Sequence, residues 1–310
     1  MTNPVLAEVV RSGFVESVHR GALVITGPEG AVRLALGDVV SPVYPRSSNK
    51  PLQAVGMLRA GLDFTGEELA LACASHSGEP GHVKRVLELL SAVGLREEDL
   101  ACPPDFPLHG PSMRDAAEPR RVMMNCSGKH TAMLTTCVRA GWPVAGYVSP
   151  DHPLQRSLAE AVSSLTAEPI AHTGVDGCGA PLFAFSLTGL ARAFGRIAAA
   201  SDGPLAEVVS AMRAHPWLVA GTGREDTALM SAVEGLVAKA GAEGVQAFAL
   251  PDGFAVAMKL DDGAKRACAP LAVSALRYLG VDVPGLEELA HPEVPGGGRP
   301  VGEVRVPQLR

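Results

Sequence analysis

Val245-Gln246-Ala247-Phe248-Ala249-Leu250, then Pro251-Asp252-Gly253, then Phe254-Ala255-Val256-Ala257-Met258-Lys259-Leu260, reads as two short apolar strands joined by a tight turn. Asp-Gly accepts the positive φ that hairpin turns need, so the stretch predicts a β-hairpin ended by Asp261-Asp262-Gly263. The N-terminal end has the same character. Val5 to Val18 and Ala22 to Thr26 are apolar and β-branched, Gly27-Pro28-Glu29-Gly30 is a turn, and Ala31 to Leu36 alternates as a hairpin partner. Between these ends the pattern becomes mainly helical. Val83, Val86, Leu87, Leu90 and Val93 fall on one face of a helix over Pro80–Val93. Further helices are expected over Leu52–Ala60, Glu67–Ala74, Gly128–Ala140 (stopped by Gly141), Pro153–Leu165, Leu205–Ala214 and Thr227–Ala240. Cys102–Glu118 and the glycine-rich Ala171–Pro181 read as irregular. A last strand near Ala267 and a helix over Val273–Leu279 follow. The Pro- and Gly-rich tail after His291 reads as poorly packed, with Val301–Val306 a candidate edge strand.

Strands at both ends and helices between them predict an α+β fold: one antiparallel sheet from the two termini and a helical central region. The expected organisation is a single catalytic unit over 1–310, with 1–64 and 241–310 forming the sheet part and 65–240 the mainly helical part. Its 310 residues, 47% hydrophobic and 19% charged, suit a globular enzyme. The net charge of −6 and the lack of a basic block argue against nucleic acid or an anionic membrane as partner. Met1–Glu16 lacks the pattern of a secretory signal, and no apolar run is long enough to span a bilayer. Six cysteines in a chain of this length are too sparse for a disulfide scaffold, so a reducing cytoplasm is the expected location.

Several polar constellations carry chemistry. Arg46-Ser47-Ser48-Asn49-Lys50-Pro51 places a serine three residues before a lysine at the entry to a helix, which puts both on one face. A serine hydroxyl needs a base to become a useful nucleophile, and a lysine can be that base only where burial or nearby cations lower its pKa. The alternative is an N-cap serine beside a solvated lysine. Cys73-Ala74-Ser75-His76-Ser77-Gly78-Glu79-Pro80 gathers hydroxyls, an imidazole and a carboxylate before a helix, where capping by Ser77 and Glu79 is the competing reading. Asn125-Cys126-Ser127-Gly128-Lys129-His130 lacks the first glycine of a phosphate loop, since Met123 stands there; nucleotide binding is rejected, and a metal or a carboxylate is the alternative ligand. Gly174-Val175-Asp176-Gly177-Cys178-Gly179-Ala180-Pro181 sets an acid and a thiol in a run that must turn tightly. Cys126 and Cys178 lack Cys-x-x-Cys spacing; a shared zinc, a disulfide and two ordinary buried thiols all remain open. Lys259 shares a strand face with Ala255 and Ala257, as a second active-site lysine or as an exposed edge lysine.

Taken in order and together with Gly221-Thr222-Gly223-Arg224, these motifs resemble the L-asparaginase II family, the class 3 or serine–lysine type, over residues 5 to 280. The resemblance implies a fold related to serine β-lactamases and glutaminases. It also implies hydrolysis of L-asparagine to L-aspartate and ammonia by a homodimer, without an organic cofactor. On the matching positions it makes Ser47 with Lys50 one catalytic serine–lysine pair and Ser77 with Lys259 a second. It matches Cys126, Lys129 and Cys178 to zinc-binding positions and Asp176 to a substrate-contacting acid. Arg46, His130 and Arg224 fall in matching motifs as candidate substrate-binding residues. Ser48-Asn49 inside the first pair, and Glu225-Asp226 after Arg224, depart from the commoner pattern. Two other classes are weighed against this one: another serine amidohydrolase acting on a longer or cyclic amide, and an amino-acid-binding protein without turnover.

Overall fold

A computed structural model describes residues 2–309. Its strands are β1 (Val5–Arg11), β2 (Phe14–Thr26), β3 (Val32–Leu36), β4 (Pro42–Val43), β5 (His172–Val175), β6 (Pro181–Ser186), β7 (Val237–Ala240), β8 (Val245–Ala249), β9 (Ala255–Leu260), β10 (Glu293–Gly296) and β11 (Arg299–Arg305). Its α-helices are α1 (Lys50–Arg59), α2 (Gly66–Ala72), α3 (Pro80–Ala92), α4 (Gly110–Asp115), α5 (Ser127–Ala140), α6 (Pro153–Thr166), α7 (Leu187–Ala198), α8 (Gly203–Ala214), α9 (Pro216–Val219), α10 (Glu225–Ala232), α11 (Cys268–Tyr278) and α12 (Glu287–Ala290). The fold is α+β, with an antiparallel sheet drawn from the N- and C-terminal parts of the chain. No helix among the described residues is long and apolar enough to cross a membrane.

The chain divides into two compact units: residues 1–48, 185–199 and 228–310, and residues 49–184 and 200–227. The first unit holds the main sheet, ordered β10-β11-β1-β2-β9-β8-β7, with β3 also paired to β2. The long strand β2 organises it. Its first half pairs with β1, while Leu23–Thr26 lie between β3 and β9. Successive residues of Gly21–Thr26 are all buried although their side chains alternate faces, so this half of the strand is covered on both sides. Helix α7 packs on β2, β8 and β9, and α11 on β8 and β9.

Four expectations change here. Val5–Val18 is interrupted by a turn at Ser12-Gly13, both at positive φ. The helix expected over Thr227–Ala240 ends at Ala232, and Val237–Ala240 is strand β7, paired with β8. Ala238, Lys239 and Ala240 satisfy either periodicity, and the available β8 edge decides for strand. The tail after His291 is an ordered hairpin whose β11 pairs with β1, with Val294 and Val304 buried. Near Ala267 there is no strand, because α11 begins at Cys268.

The second unit is helical. Helix α5 is buried over every residue from Ser127 to Cys137, which makes it the axis of the unit. Gly128 is what lets α5 approach α2, since a Cβ there would lie 2.6 Å from the Leu71 carbonyl oxygen. Buried threonines on α5 turn their hydroxyls back onto the helix, Thr131 to the Ser127 carbonyl and Thr136 to that of Ala132. Gly141 caps α5 at φ 69°. Strand β5 pairs with Pro181–Ala184 of β6, so part of the stretch expected to be irregular is a hairpin.

Candidate functional site

Lys50 is the first residue of α1, follows the 3-10 turn Arg46–Asn49, and is 1% exposed. A buried ammonium must spend its three N–H groups on protein acceptors. Lys50 Nζ donates to the Ala74 carbonyl at 2.6 Å, to Ser75 Oγ at 2.9 Å and to Cys126 Sγ at 3.1 Å. Ser75 therefore stands at the lysine, a role that sequence reading did not assign. It was legible only as a member of the Cys73–Pro80 motif, because its contact with Lys50 spans 25 residues.

Cys126 caps the N-terminus of α5, and Lys129 lies one turn in. Lys129 Nζ donates to Cys178 Sγ at 3.2 Å, so the structure brings Lys50, Cys126, Lys129 and Cys178 into one buried cluster. The hydrogen bond between the two sulfurs lowers the pKa of Cys178 against the burial that opposes it, with the Lys129 charge assisting. The same bond, and then burial, raises Cys126. Lys129 is opposed by burial, but the charges of Cys178 and Cys126 outweigh it and raise its pKa. Cys102 and Cys137 differ: burial pushes them up to about 12 and about 11, so they are ordinary protonated thiols. His130 lies behind this cluster, fully buried, with Nδ1 at 2.6 Å from the Tyr147 hydroxyl. That hydroxyl also accepts from the Ala101 N–H, and burial lowers the pKa of His130 from its ordinary value. Asp176 accepts from the Gly177 N–H at 2.8 Å at the entrance to the Cys178 turn.

Ser77 and Arg224 also belong to this unit. Ser77 is 1% exposed; its hydroxyl donates to the Ala220 carbonyl at 2.8 Å, and its own carbonyl accepts from the His109 N–H. Gly221 is at φ 119°, and a Cβ there would lie 2.4 Å from Ser77 Oγ, so glycine is required for both reasons. The neighbouring His76 accepts from the Gly78 N–H at Nδ1 and donates from Nε2 to Ser127 Oγ, which donates onward to the Val122 carbonyl. This chain holds the imidazole neutral, and burial, then the charges of His82, Lys50 and Arg224, lowers its pKa far below the ordinary value. Arg224 is half-buried and makes no hydrogen bond or ion pair among the described residues.

The other predicted residues lie in the first unit. Ser47 is half-buried, and its hydroxyl has no hydrogen bond among the described residues, whereas the buried Ser48 hydroxyl donates to the Pro45 carbonyl at 2.7 Å. Arg46 is held at φ 52° and faces Glu243 at 3.8 Å. Lys259, on β9, donates to the Leu260 carbonyl at 2.7 Å.

Among the described residues no three His, Cys, Asp or Glu side chains converge as a metal site, so a metal here would need the lysine nitrogen as third ligand. Ligands of a tetrahedral zinc stand roughly 3.5 Å apart. The 3.2 Å between Lys129 Nζ and Cys178 Sγ fits one such edge. Two soft sulfurs and one amine suit zinc, once the ion displaces their protons.

The chain is similar to several solved structures. A β-lactamase from Mycobacterium bovis is 16% identical at a TM-score of 0.48, covering 84% of this chain and 95% of that one. A β-lactamase described as putative, from Bacteroides dorei, is 13% identical at 0.43, covering 77% and 84%. Mglu in its native form is 14% identical at 0.47, covering 84% of this chain and 65% of its own. No curated protein sequence matches. The family model described as L-asparaginase II matches residues 7–306, nearly the whole chain, and the protein therefore belongs to the L-asparaginase II family, a family of amidohydrolases.

Proposed function

We propose that the protein is an L-asparaginase that hydrolyses L-asparagine to L-aspartate and ammonia through a serine activated by a lysine. The family match over residues 7–306 carries this reading. Two local features support it: a Ser47 hydroxyl without a hydrogen bond among the described residues, three residues before a buried lysine, and the Arg224 guanidinium, unpaired among the same residues, in the unit that holds Ser77.

Ser47 is the proposed nucleophile, since the hydroxyl of Ser48 is occupied by the Pro45 carbonyl. Lys50 takes the proton of Ser47. For that it must be the neutral amine, with two N–H donors and one lone pair, so one of its three hydrogen bonds is released and the lone pair is free for the Ser47 hydroxyl. Attack on the amide carbon forms the acyl-enzyme; the proton taken from Ser47 passes from Lys50 to the departing nitrogen, which leaves as ammonia, and water then clears the acyl group. Ser77 and Lys259 are proposed as the second pair, from the family resemblance. Arg224 and Arg46 suit the substrate carboxylate and Asp176 its ammonium, with His130 a further candidate substrate-binding residue. Cys126, Lys129 and Cys178 would hold zinc, which when bound would supply Lewis acidity and fix the local charge. The same reading carries a homodimer, tested by sedimentation of the purified protein.

The deciding experiment is ammonia release from L-asparagine and from L-glutamine by wild type, Ser47→Ala and Ser77→Ala, with folding and metal content recorded. Turnover of asparagine lost in Ser47→Ala supports the reading. Loss only in Ser77→Ala exchanges the roles of the pairs. A folded, zinc-loaded wild type that binds asparagine without turnover removes it in favour of a binding protein.

A further inference from the structure

Glu79 stands at the N-cap position of α3, where its carboxylate could face the free N–H groups of the first turn. It makes no capping bond. Its carboxylate instead accepts from the Thr222 N–H and from the Thr222 hydroxyl, each at 2.8 Å across 143 residues of sequence. Glu79 is 8% exposed. The turn it holds is fastened at other points too: the Thr227 hydroxyl donates to the Gly221 carbonyl at 2.8 Å, and Trp217 Nε1 donates to Thr222 Oγ1 at 3.1 Å. Gly221 lies between the two loops with no room for a side chain, since its missing Cβ would stand 2.7 Å from Glu79 Oε1 as well as close to Ser77 Oγ. The buried carboxylate thus spends both its oxygens on a distant turn rather than on its own helix. Two residues beyond Thr222 the chain presents Arg224, unpaired among the described residues and close enough to His76 to act on its charge.

We propose that Glu79 is a positioning residue: by clamping Thr222 it fixes the Gly221–Arg224 turn beside Ser77 and sets where the Arg224 guanidinium meets the substrate carboxylate. What Arg224 binds rests on the amidohydrolase reading above; the clamp itself does not. Glu79→Gln keeps the shape but offers one acceptor where the carboxylate offers two. Thr222→Val removes the hydroxyl donor, and Thr222→Ser restores it.

The test joins steady-state kinetics on L-asparagine with hydrogen exchange of the peptide spanning residues 219–229. Because bonds to a charged acceptor are the stronger class, Glu79→Gln and Thr222→Val are each expected to raise KM by about tenfold and change kcat by less than about threefold. Thr222→Ser should return KM to the wild-type value, and the double variant should be no worse than the more damaging single. Exchange at the Thr222 amide should accelerate in Glu79→Gln while the α3 amides stay protected. An unchanged KM and unchanged exchange in folded Glu79→Gln overturn the clamp, as does an equal loss in kcat and KM effects across all variants including Thr222→Ser. If wild type does not turn over asparagine, the substrate reading falls, and slow exchange at Thr222 in Glu79→Gln would still overturn the clamp on its own.

Discussion

Replacing His76 by asparagine tests whether the hydrogen-bond chain around this residue keeps its imidazole neutral. In the folded protein Nδ1 accepts from the Gly78 N–H, so a proton there would set two donors against each other in a buried space. Burial acts in the same direction and lowers the folded pKa far below its ordinary value. The unfolded chain takes up a proton near the usual histidine value of about 6.5, and the folded chain does not. The unfolded state then binds more protons, so stability is fully present above that pH and is lost as pH falls toward the depressed folded value. Each such group contributes about 1.4 kcal/mol per pH unit in that window. Between pH 6.5 and 5.0 His76 alone accounts for at most about 1.6 kcal/mol of lost stability, since the unfolded imidazole is half protonated at the upper limit. In His76→Asn the amide oxygen can take the place of Nδ1 as acceptor from Gly78, and nothing titrates at the position. The assay is urea unfolding of both proteins at several pH values across that range, above the main carboxylate titrations. Wild type should lose up to about 1.6 kcal/mol more than His76→Asn over the interval. Parallel stability curves for the two proteins would refute the argument, because they would mean that the folded imidazole takes up its proton as freely as the unfolded one.

Other consequences follow from neighbouring geometry. Ser48→Ala should cost about 1 kcal/mol of stability through the lost bond to the Pro45 carbonyl and leave turnover measurable, while Ser47→Ala should abolish turnover with an unchanged melting temperature. Gly128→Ala drives a Cβ against the Leu71 carbonyl and should destabilise the helical unit by roughly 1–3 kcal/mol in thermal or denaturant melts, despite alanine's better helix propensity. Zinc titrated into metal-free protein in weak buffer should release protons from the cysteine pair and Lys129. Elemental analysis after dialysis should find the zinc retained by wild type and lost from Cys126→Ser and Cys178→Ser.

Much of the local structure was legible because local chemistry dictates it. Pro80 and the apolar spacing to Val93 predict α3, Gly141 ends α5 in the left-handed conformation that favours glycine, and Asp252-Gly253 turns β8 into β9. These signals act within one or two turns of chain, so a sequence window contains their cause. The motifs bearing Ser47, Ser77, Cys126 and Cys178 were legible for a different reason: their residue types and order match those of one family.

The pairings were not legible. Val237–Ala240 is apolar enough for helix or strand, and only the free edge of β8 makes it a strand. The Pro- and Gly-rich tail finds order because β1 offers it a ladder, a partner nearly 300 residues away. Lys50 was read beside Ser47 from its spacing, but its hydrogen bonds go to Ala74, Ser75 and Cys126, across a helix packing that no window contains. Glu79 offered a cap by sequence and is a clamp by fold. The sequence alone determined the strand and helix propensities and the chemical inventory of the site. Tertiary structure decided which buried donor meets which acceptor, because a buried polar group must find a partner wherever packing puts one, at any distance along the chain.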